Sequence, residues 1–189
     1  MKKTRLDYYQ NNGYQPGRSM LTQTLWYFIN LMFFQSGWFP ISSLKVKVLR
    51  LFGAQVGRGV VIKPGVNIKY PWKLHIANHV WIGERVWIDN LAHVTIGDHV
   101  CLSQGAMLLT GSHNYKRTSF DLIVGDIVLE DGAWVGAQAI VAPGVTCHTH
   151  SVLAVHSVAN AHLEAYTIYQ GNPAVVKRKR EINDDLPPR

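Results

Sequence analysis

Aliphatic residues recur at every sixth position in this chain, and the phase holds through three segments that themselves repeat every twenty residues. Val56, Ile76 and Ile96 mark one register, Ile62, Ile82 and Leu102 a second, and Ile68, Ile88 and Leu108 a third. Two positions ahead of nearly all of these stands another aliphatic or small residue, among them Val60, Val66, Leu74, Val80, Val86, Val94, Val100 and Ala106. The pattern resumes at Leu129, Val135, Val141, Cys147 and Leu153, preceded by Ile127, Ala133, Ala139, Val145 and Ser151. A fixed internal period of this kind decides the fold ahead of local propensity. A six-residue unit makes one short strand and one turn. Three units then close a triangular coil with the marked side chain pointing inward. A β-sandwich alternates with period two and cannot hold a phase of six. The expected fold is an all-β solenoid, a parallel β-helix in which each coil buries its face only against its neighbours and stability adds along the stack. Gly57, Gly59, Gly65, Gly83, Gly97, Gly105, Gly132, Gly136 and Gly144 fall at its corners, where the missing Cβ eases a tight bend.

The departures from the period are also patterned. The steps from Ile68 to Ile76 and from Ile88 to Ile96 are eight residues, and the step from Leu108 to Leu129 is twenty-one. All three leave the third register, so all three leave one corner of the triangle. Insertions in a solenoid gather on one edge, which is often the binding face. This edge carries Tyr70-Pro71-Trp72, then Asp89-Asn90-Leu91-Ala92-His93, then a long loop over 109–126 containing Thr110-Gly111-Ser112-His113-Asn114-Tyr115. A loop of that length in a compact domain is usually functional or disordered, and these residues favour function.

The division expected is an apolar and amphipathic extension over 1–52, the β-helix over 53–160, and a C-terminal turn with a basic, helical or irregular tail over 161–189. Residues 20–41 are rich in large apolar groups but interrupted by Thr22, Gln23, Thr24, Asn30, Gln35, Ser36, Gly37 and Pro40, which leaves them short and patchy for a span of roughly 20 apolar residues. Residues 44–52 set Lys45, Lys47 and Arg50 among Val46, Val48, Leu49 and Leu51, the pattern of an amphipathic helix. Three readings of residues 20–52 stay open: packing on the solenoid or a neighbouring subunit, peripheral contact with a membrane, and spanning. Outward positions Val61, Trp81, Cys101 and Trp134, with Trp87, Met107 and Ile140 on the next face, form apolar strips that usually mark an interface and argue against a monomer. The formal net charge is +7, concentrated in part at Lys177-Arg178-Lys179-Arg180. That run suits phosphates or an acidic surface. With no nucleic-acid motif and no aromatics interleaved with it, nucleic acid is not an expected partner. Cys147 is a core position and Cys101 faces outward, so no disulfide is expected; with a charged, polar start, a reducing cytoplasm is the expected compartment.

The units Ile76-Ala77-Asn78-His79-Val80-Trp81, Ile82-Gly83-Glu84-Arg85-Val86-Trp87 and Ile96-Gly97-Asp98-His99-Val100-Cys101 resemble the hexapeptide repeat of the left-handed β-helix acyltransferases. Residues 134–145 match the second block of that family, and Gln170-Gly171-Asn172-Pro173-Ala174 resembles its acetyl-CoA signature. Within the family, the apolar extension and the Gly-Ser-His-Asn-Tyr loop look most like the colanic acid biosynthesis acetyltransferases, with galactoside, maltose and nodulation-factor acetyltransferases as relatives. The resemblance, over about residues 50–180, supplies the left hand of the coil, which spacing cannot show.

The resemblance implies an acetyl-CoA-dependent O-acetyltransferase, a homotrimer with active sites between subunits, acting by direct transfer on a sugar hydroxyl of an exopolysaccharide precursor, free or lipid-linked. His113 matches the general base. Asp89 or Asn90, with Asn114 and Tyr115, would hold the acceptor. Trp134 and Ala137 would line the pantetheine tunnel, Gly171, Asn172 and Pro173 would form the turn over the donor, and Lys177, Arg178 and Arg180 would meet its 3′-phosphate. Competing readings include a different small acceptor, such as an amino sugar or a serine-like hydroxyl, and a catalytically silent scaffold. A zinc carbonic anhydrase of the same fold binds metal through histidines two of which are five apart. Among His75, His79, His93, His99, His113, His148, His150, His156 and His162 no pair has that spacing, so no metal is expected.

Overall fold

The structure, a computed structural model, describes residues 3–183; the first two residues of the extension and the last six of the tail lie outside the described residues. Three parallel sheets form the faces of a triangular coil. The first face stacks Gln55–Val56, Leu74–Ile76, Val94–Ile96, Ile127–Leu129 and Thr146–Cys147. The second stacks Val61–Ile62, Trp81–Ile82, Cys101–Leu102, Trp134–Val135, Val152–Leu153 and Thr167–Gly171, and the third Asn67–Ile68, Trp87–Asp89, Met107–Leu109, Ile140–Val141 and Val158–Ala159. Registers join the six-step residues directly: Ile62 pairs Ile82, Ile82 pairs Leu102, Leu102 pairs Val135, and Val135 pairs Leu153. These side chains are buried.

The corners need glycine for two different physical reasons. Gly65 has φ +78°, a left-handed conformation that costs a side chain energy. Gly83 has ordinary φ, but a Cβ there would lie 2.8 Å from the carbonyl oxygen of Leu102 and 2.9 Å from the amide nitrogen of Gln104 in the next coil. Four histidines take the left-handed corner positions instead: His79, His99, His150 and His156, with φ from 55° to 58°. His79 and His99 stack at 5.2 Å between ring centroids with planes 9° apart. Those histidines serve the scaffold.

The stretch expected to be a helical or irregular tail is extended. Thr167–Gly171 joins the second face, and Ala174–Lys179 pairs with it antiparallel. The last coil would otherwise leave a bare edge, and the returning strand closes it.

The other end is closed by the extension. Helix α1 (Met20–Ile29) starts at Ser19, whose hydroxyl accepts from the Thr22 amide at 3.3 Å; a π-helical turn (Asn30–Phe34) follows, then helix α2 (Ser42–Leu51). The first coil points one set of backbone groups away from the stack, and cap side chains meet them on every face. On the third face the Trp26 indole donates to the Ile68 carbonyl at 2.8 Å, and Asn30 accepts from the Ile68 amide at 3.3 Å. On the second, the Ser42 hydroxyl bonds both the amide and the carbonyl of Ile62, at 3.0 and 3.1 Å, and the Lys45 ammonium donates to the Lys63 carbonyl at 3.0 Å. On the first, the Arg50 guanidinium donates to the carbonyls of Val56 and Gly57 at 2.7 and 2.9 Å. Trp26, Phe34 and Leu49 are buried over the first coil. Of the three readings of residues 20–52, packing on the solenoid is the one the structure realises for this inner side. Among the described residues no helix is long and apolar enough to cross a membrane.

Lys45 is buried, and burial pushes its ammonium down from 10.5 to about 8. Between those values the unfolded chain binds more protons than the folded one, so this residue's contribution improves as pH rises through that window. Urea melts of wild type and Lys45→Met should therefore diverge in the wild type's favour from pH 8 to 10.5, by an amount on the order of 3 kcal/mol. A constant difference across that range would place the ammonium in water.

Candidate active site

The long insertion is an ordered ribbon. Gly111–His113 pairs antiparallel with Leu122–Val124, with His113 opposite Leu122. Buried Thr110 roots the ribbon on the preceding coil: its hydroxyl donates to the Asp89 carbonyl at 2.8 Å and accepts from the Ala92 amide at 3.0 Å. The Asp126 carboxylate accepts from the His93 amide at 2.9 Å on the other side. At the tip, the Asn114 amide donates to the Asp121 carbonyl at 2.8 Å, and Arg117 pairs with the Asp121 carboxylate at 3.0 Å. The Ser119 hydroxyl and then Arg117 hold that carboxyl below its usual range.

His113 Nδ1 lies 3.1 Å from the carbonyl oxygen of Phe120. A carbonyl only accepts, so Nδ1 carries the proton and Nε2 keeps its lone pair. The Phe120 ring stacks on the imidazole at 4.4 Å with planes 10° apart, and the Tyr9 ring meets it edge-on at 5.9 Å. Tyr9 belongs to a segment strapped along the ribbon. The Arg5 amide donates to the Thr118 carbonyl at 2.8 Å, the Leu122 amide to the Gln10 carbonyl at 3.0 Å, and the Asn12 side chain to the Leu122 carbonyl at 2.9 Å. Further along, the Tyr14 hydroxyl donates to the Leu91 carbonyl at 3.0 Å and the Trp72 indole to the Pro16 carbonyl at 2.7 Å. Phe120, Tyr9 and Tyr14 were not legible as site residues, because they lie outside both the repeat and the loop motif; Thr110 was read as part of the loop but not as its anchor.

Asp89 and Asn90 part company. Asn90 is fully buried, and its amide clasps the Tyr70 backbone, accepting from the amide at 2.9 Å and donating to the carbonyl at 2.6 Å. That carboxamide is occupied in joining two coils and is not presented to an acceptor. Asp89 pairs with the Lys69 ammonium at 2.9 Å and lines a recess of about 620 Å³ between α1 and the third face, with Tyr70 and Trp87 on its floor and Tyr27 and Phe28 on its wall. Asn114 accepts from the Lys116 amide at 3.2 Å, and Tyr115 is exposed.

Of the residues named for the donor, Ala137 and the Gly171–Ala174 turn share a different corner. Ala137 sits between the second and third faces, the Gly171–Ala174 turn ends the second face at that same corner, and the Gly171 amide donates to Ser157 in the intervening coil at 2.9 Å. Asn172 and Pro173 form this exposed turn; Trp134, on the second face, is half-exposed and donates to the Ser103 hydroxyl at 2.9 Å. Lys177 and Arg178 are exposed on the returning strand. Arg180 differs from the expectation: it donates to the carbonyls of Gly132 and His150 at 3.0 and 3.1 Å, so it braces the corner between the first and second faces, away from that turn. Asp89 and the His113 ribbon leave the corner between the third and first faces. The two groups of candidate residues therefore lie on two edges of the triangle.

Burial pushes the Cys147 thiol up to about 12, which removes it as a nucleophile. Among the described residues no group of three His, Cys, Asp or Glu side chains is arranged to hold a metal ion. The geometry at His113 carries a direct test. Nitrogen-15 spectra of imidazole-labelled protein, taken under alkaline conditions, should show the Nδ1–H tautomer for this residue. An Nε2–H tautomer would remove its lone pair from the solvent side.

No family model matches the chain. It is 37% identical over 170 residues to the "Putative colanic acid biosynthesis acetyltransferase WcaF" of Escherichia coli (strain K12), covering 89% of this chain and 92% of that protein. It is 28% identical over 134 residues to the galactoside O-acetyltransferase of the same organism, covering 69% and 65%. The crystal structure of the hexapeptide-repeat-containing acetyltransferase VCA0836 from Vibrio cholerae superposes with a TM-score of 0.77 at 26% identity, over 86% of this chain and 92% of that one. That of a maltose O-acetyltransferase from Clostridium difficile 630 shares the fold, with a TM-score of 0.72 at 19% identity, over 87% and 90%. With an identity above one-third along nearly the whole of both chains, on the same triangular scaffold, this chain belongs to the hexapeptide-repeat, left-handed β-helix acyltransferases, within which it is most like the colanic acid biosynthesis acetyltransferases.

Proposed function

We propose that the protein transfers an acetyl group from acetyl-CoA to a sugar hydroxyl of an exopolysaccharide precursor, with His113 as general base. The observation that carries this reading is the His113 imidazole, steered by the Phe120 carbonyl at 3.1 Å so that Nε2 is the basic nitrogen. A sugar hydroxyl is a poor nucleophile near neutral pH. A positioned general base contributes about 10²–10⁴-fold to its attack, and orientation of the two substrates supplies much of the rest. His113 Nε2 takes the hydroxyl proton as the oxygen bonds to the thioester carbonyl carbon. The C–S bond then breaks, and the leaving CoA sulfur recovers the proton from the imidazolium. Asp89, oriented by Lys69 at 2.9 Å, would accept from a second acceptor hydroxyl in the recess it lines. The exposed turn over 171–174 and the exposed cations Lys177 and Arg178 supply the surface that a pantetheine arm and a phosphate would follow. The similarity to colanic acid biosynthesis and galactoside O-acetyltransferases favours a sugar acceptor.

The two groups of candidate residues on separate edges favour active sites shared between subunits of a trimer. So do Trp81 and Trp134 on the second face, which are 46% and 45% exposed in the single chain. Sedimentation equilibrium should give three times the chain mass, and Trp81→Glu with Trp134→Glu should dissociate it. A wild-type monomer would overturn the shared site.

The deciding experiment measures release of CoA thiol across a panel of sugar, amino-sugar and serine acceptors, with mass spectrometry of the product. Transfer to a sugar hydroxyl is expected, and transfer only to an amine or a serine hydroxyl would overturn the acceptor class. His113→Ala should keep the fold and the donor KM while kcat falls at least a hundredfold. Turnover near wild type would take His113 out of the mechanism.

A further inference from the structure

The inner side of the cap is committed to the first coil, but its outer side is unlike the surface of a soluble helix pair. Met20, Leu21 and Leu51 are 83%, 79% and 81% exposed, and Phe28, Met32 and Trp38 are each more than half exposed. Between the two helices opens an apolar slot of about 280 Å³, walled by Ile29, Phe33, Phe39, Leu44, Val48 and Leu51. Contiguous apolar surface of this kind marks an interaction site.

Charge identifies the occupant. Of the 19 Lys and Arg residues, 11 precede Glu84, against the single acidic residue Asp7; the rest of the chain has more acidic than basic residues. Residues 8–83, which include the whole cap and the first coil, contain no Asp or Glu at all. Lys45 and Arg50 are used to hold the first coil, but Lys47, Arg18 and Arg58 are exposed. Lys47 lies one turn from exposed Leu44 and exposed Leu51 on α2, so all three share one face. Arg18 lines the same shallow recess as Leu25 and Leu51. Exposed leucines, aromatics and long cations with no interspersed acid form the surface that lies in the headgroup layer of an anionic bilayer. A second copy of this cap would bring like charges together, and it is the weaker fit.

We propose that the outer face of the cap docks on an anionic lipid surface, with the aromatic and aliphatic side chains entering the interface and Lys47 and Arg18 meeting phosphate headgroups. Docking is independent of the transferase reading. A consequence does rest on that reading: Met20, Tyr27, Phe28 and Leu31 belong both to α1 and to the wall of the Asp89 recess, so the recess opens beside the docked face. The acceptor class this favours is a sugar carried on a membrane-embedded lipid. In a cyclic trimer the three caps lie in one plane, and their weak attachments combine.

The test uses the full chain with two vesicle compositions, phosphatidylcholine alone and a two-to-one mixture with phosphatidylglycerol, read by co-sedimentation. Binding to the anionic vesicles should be at least tenfold tighter and should weaken as salt rises, since each basic residue near such a surface contributes roughly fivefold. Leu21→Ser with Met32→Ser, and separately Arg18→Glu with Lys47→Glu, should each lower that affinity at least tenfold while circular dichroism and turnover of a water-soluble sugar stay unchanged. Equal partition of wild type into both vesicles, or variants that bind as wild type does, would overturn the proposal. So would a cap-to-cap doubling of the assembly that both pairs of substitutions abolish while wild type ignores vesicles. Vesicle binding is read without turnover, so its failure is distinguishable from failure of the acetyltransferase reading.

Discussion

Each coil of this molecule can satisfy its backbone and bury its apolar side chains only against the coils above and below it. That constraint organises everything else. It demands an aliphatic residue at every sixth position, because a triangular cross-section leaves room for little more at its centre. It permits extra residues only where the chain leaves the stack, at the corners. It also makes both ends of the stack incomplete. The molecule answers with the returning strand Ala174–Lys179 at one end and the cap at the other, where Trp26, Asn30, Ser42, Lys45 and Arg50 bond the outward backbone groups of the first coil.

The candidate site follows from the same constraint. A ribbon extruded from a rigid corner would wave in solvent unless it were fastened, and Thr110, Asp126 and the strap over residues 5–14 fasten it to neighbouring coils. The Phe120 carbonyl then settles which imidazole nitrogen of His113 is basic, a detail set by the ribbon's own hairpin. The helical cap does double duty. Its inner side ends the stack, the flank of α1 walls the Asp89 recess, and its outer side presents an apolar, basic surface. A single element therefore joins fold completion to the acceptor recess and the lipid contact proposed above.

Legibility in the sequence varied with how directly the repeat dictated a residue's surroundings. Ile62, Ile82, Leu102, Val135 and Leu153 were readable because their burial is enforced by period alone. The corner carrying the insertions was readable by the same arithmetic. Asn90 was not separable from Asp89, because the eight-residue step shifts the local phase and only the observed clasp on Tyr70 shows which side chain is taken. Arg180 looked like its basic neighbours, yet it reaches back to Gly132 and His150 across residues far apart in the chain. The tail over 161–189 carries no six-residue signal, so its antiparallel pairing was hidden. The corner histidines were equally opaque, since a left-handed turn accepts glycine, asparagine or histidine with little to choose between them.

The sequence by itself determined the triangular coil, its inward residues, the edge that carries the insertions and the residue types available there for proton transfer. These are local consequences of periodicity, in which a side chain's environment depends on its phase alone. Only the tertiary structure decided the tautomer of His113, the assignment of Asn90 and Arg180 to the scaffold, the closure of both ends, and the placing of the 171–174 turn and the His113 ribbon on different edges. Each of those depends on which backbone group a side chain meets many residues away, and no period encodes that distance.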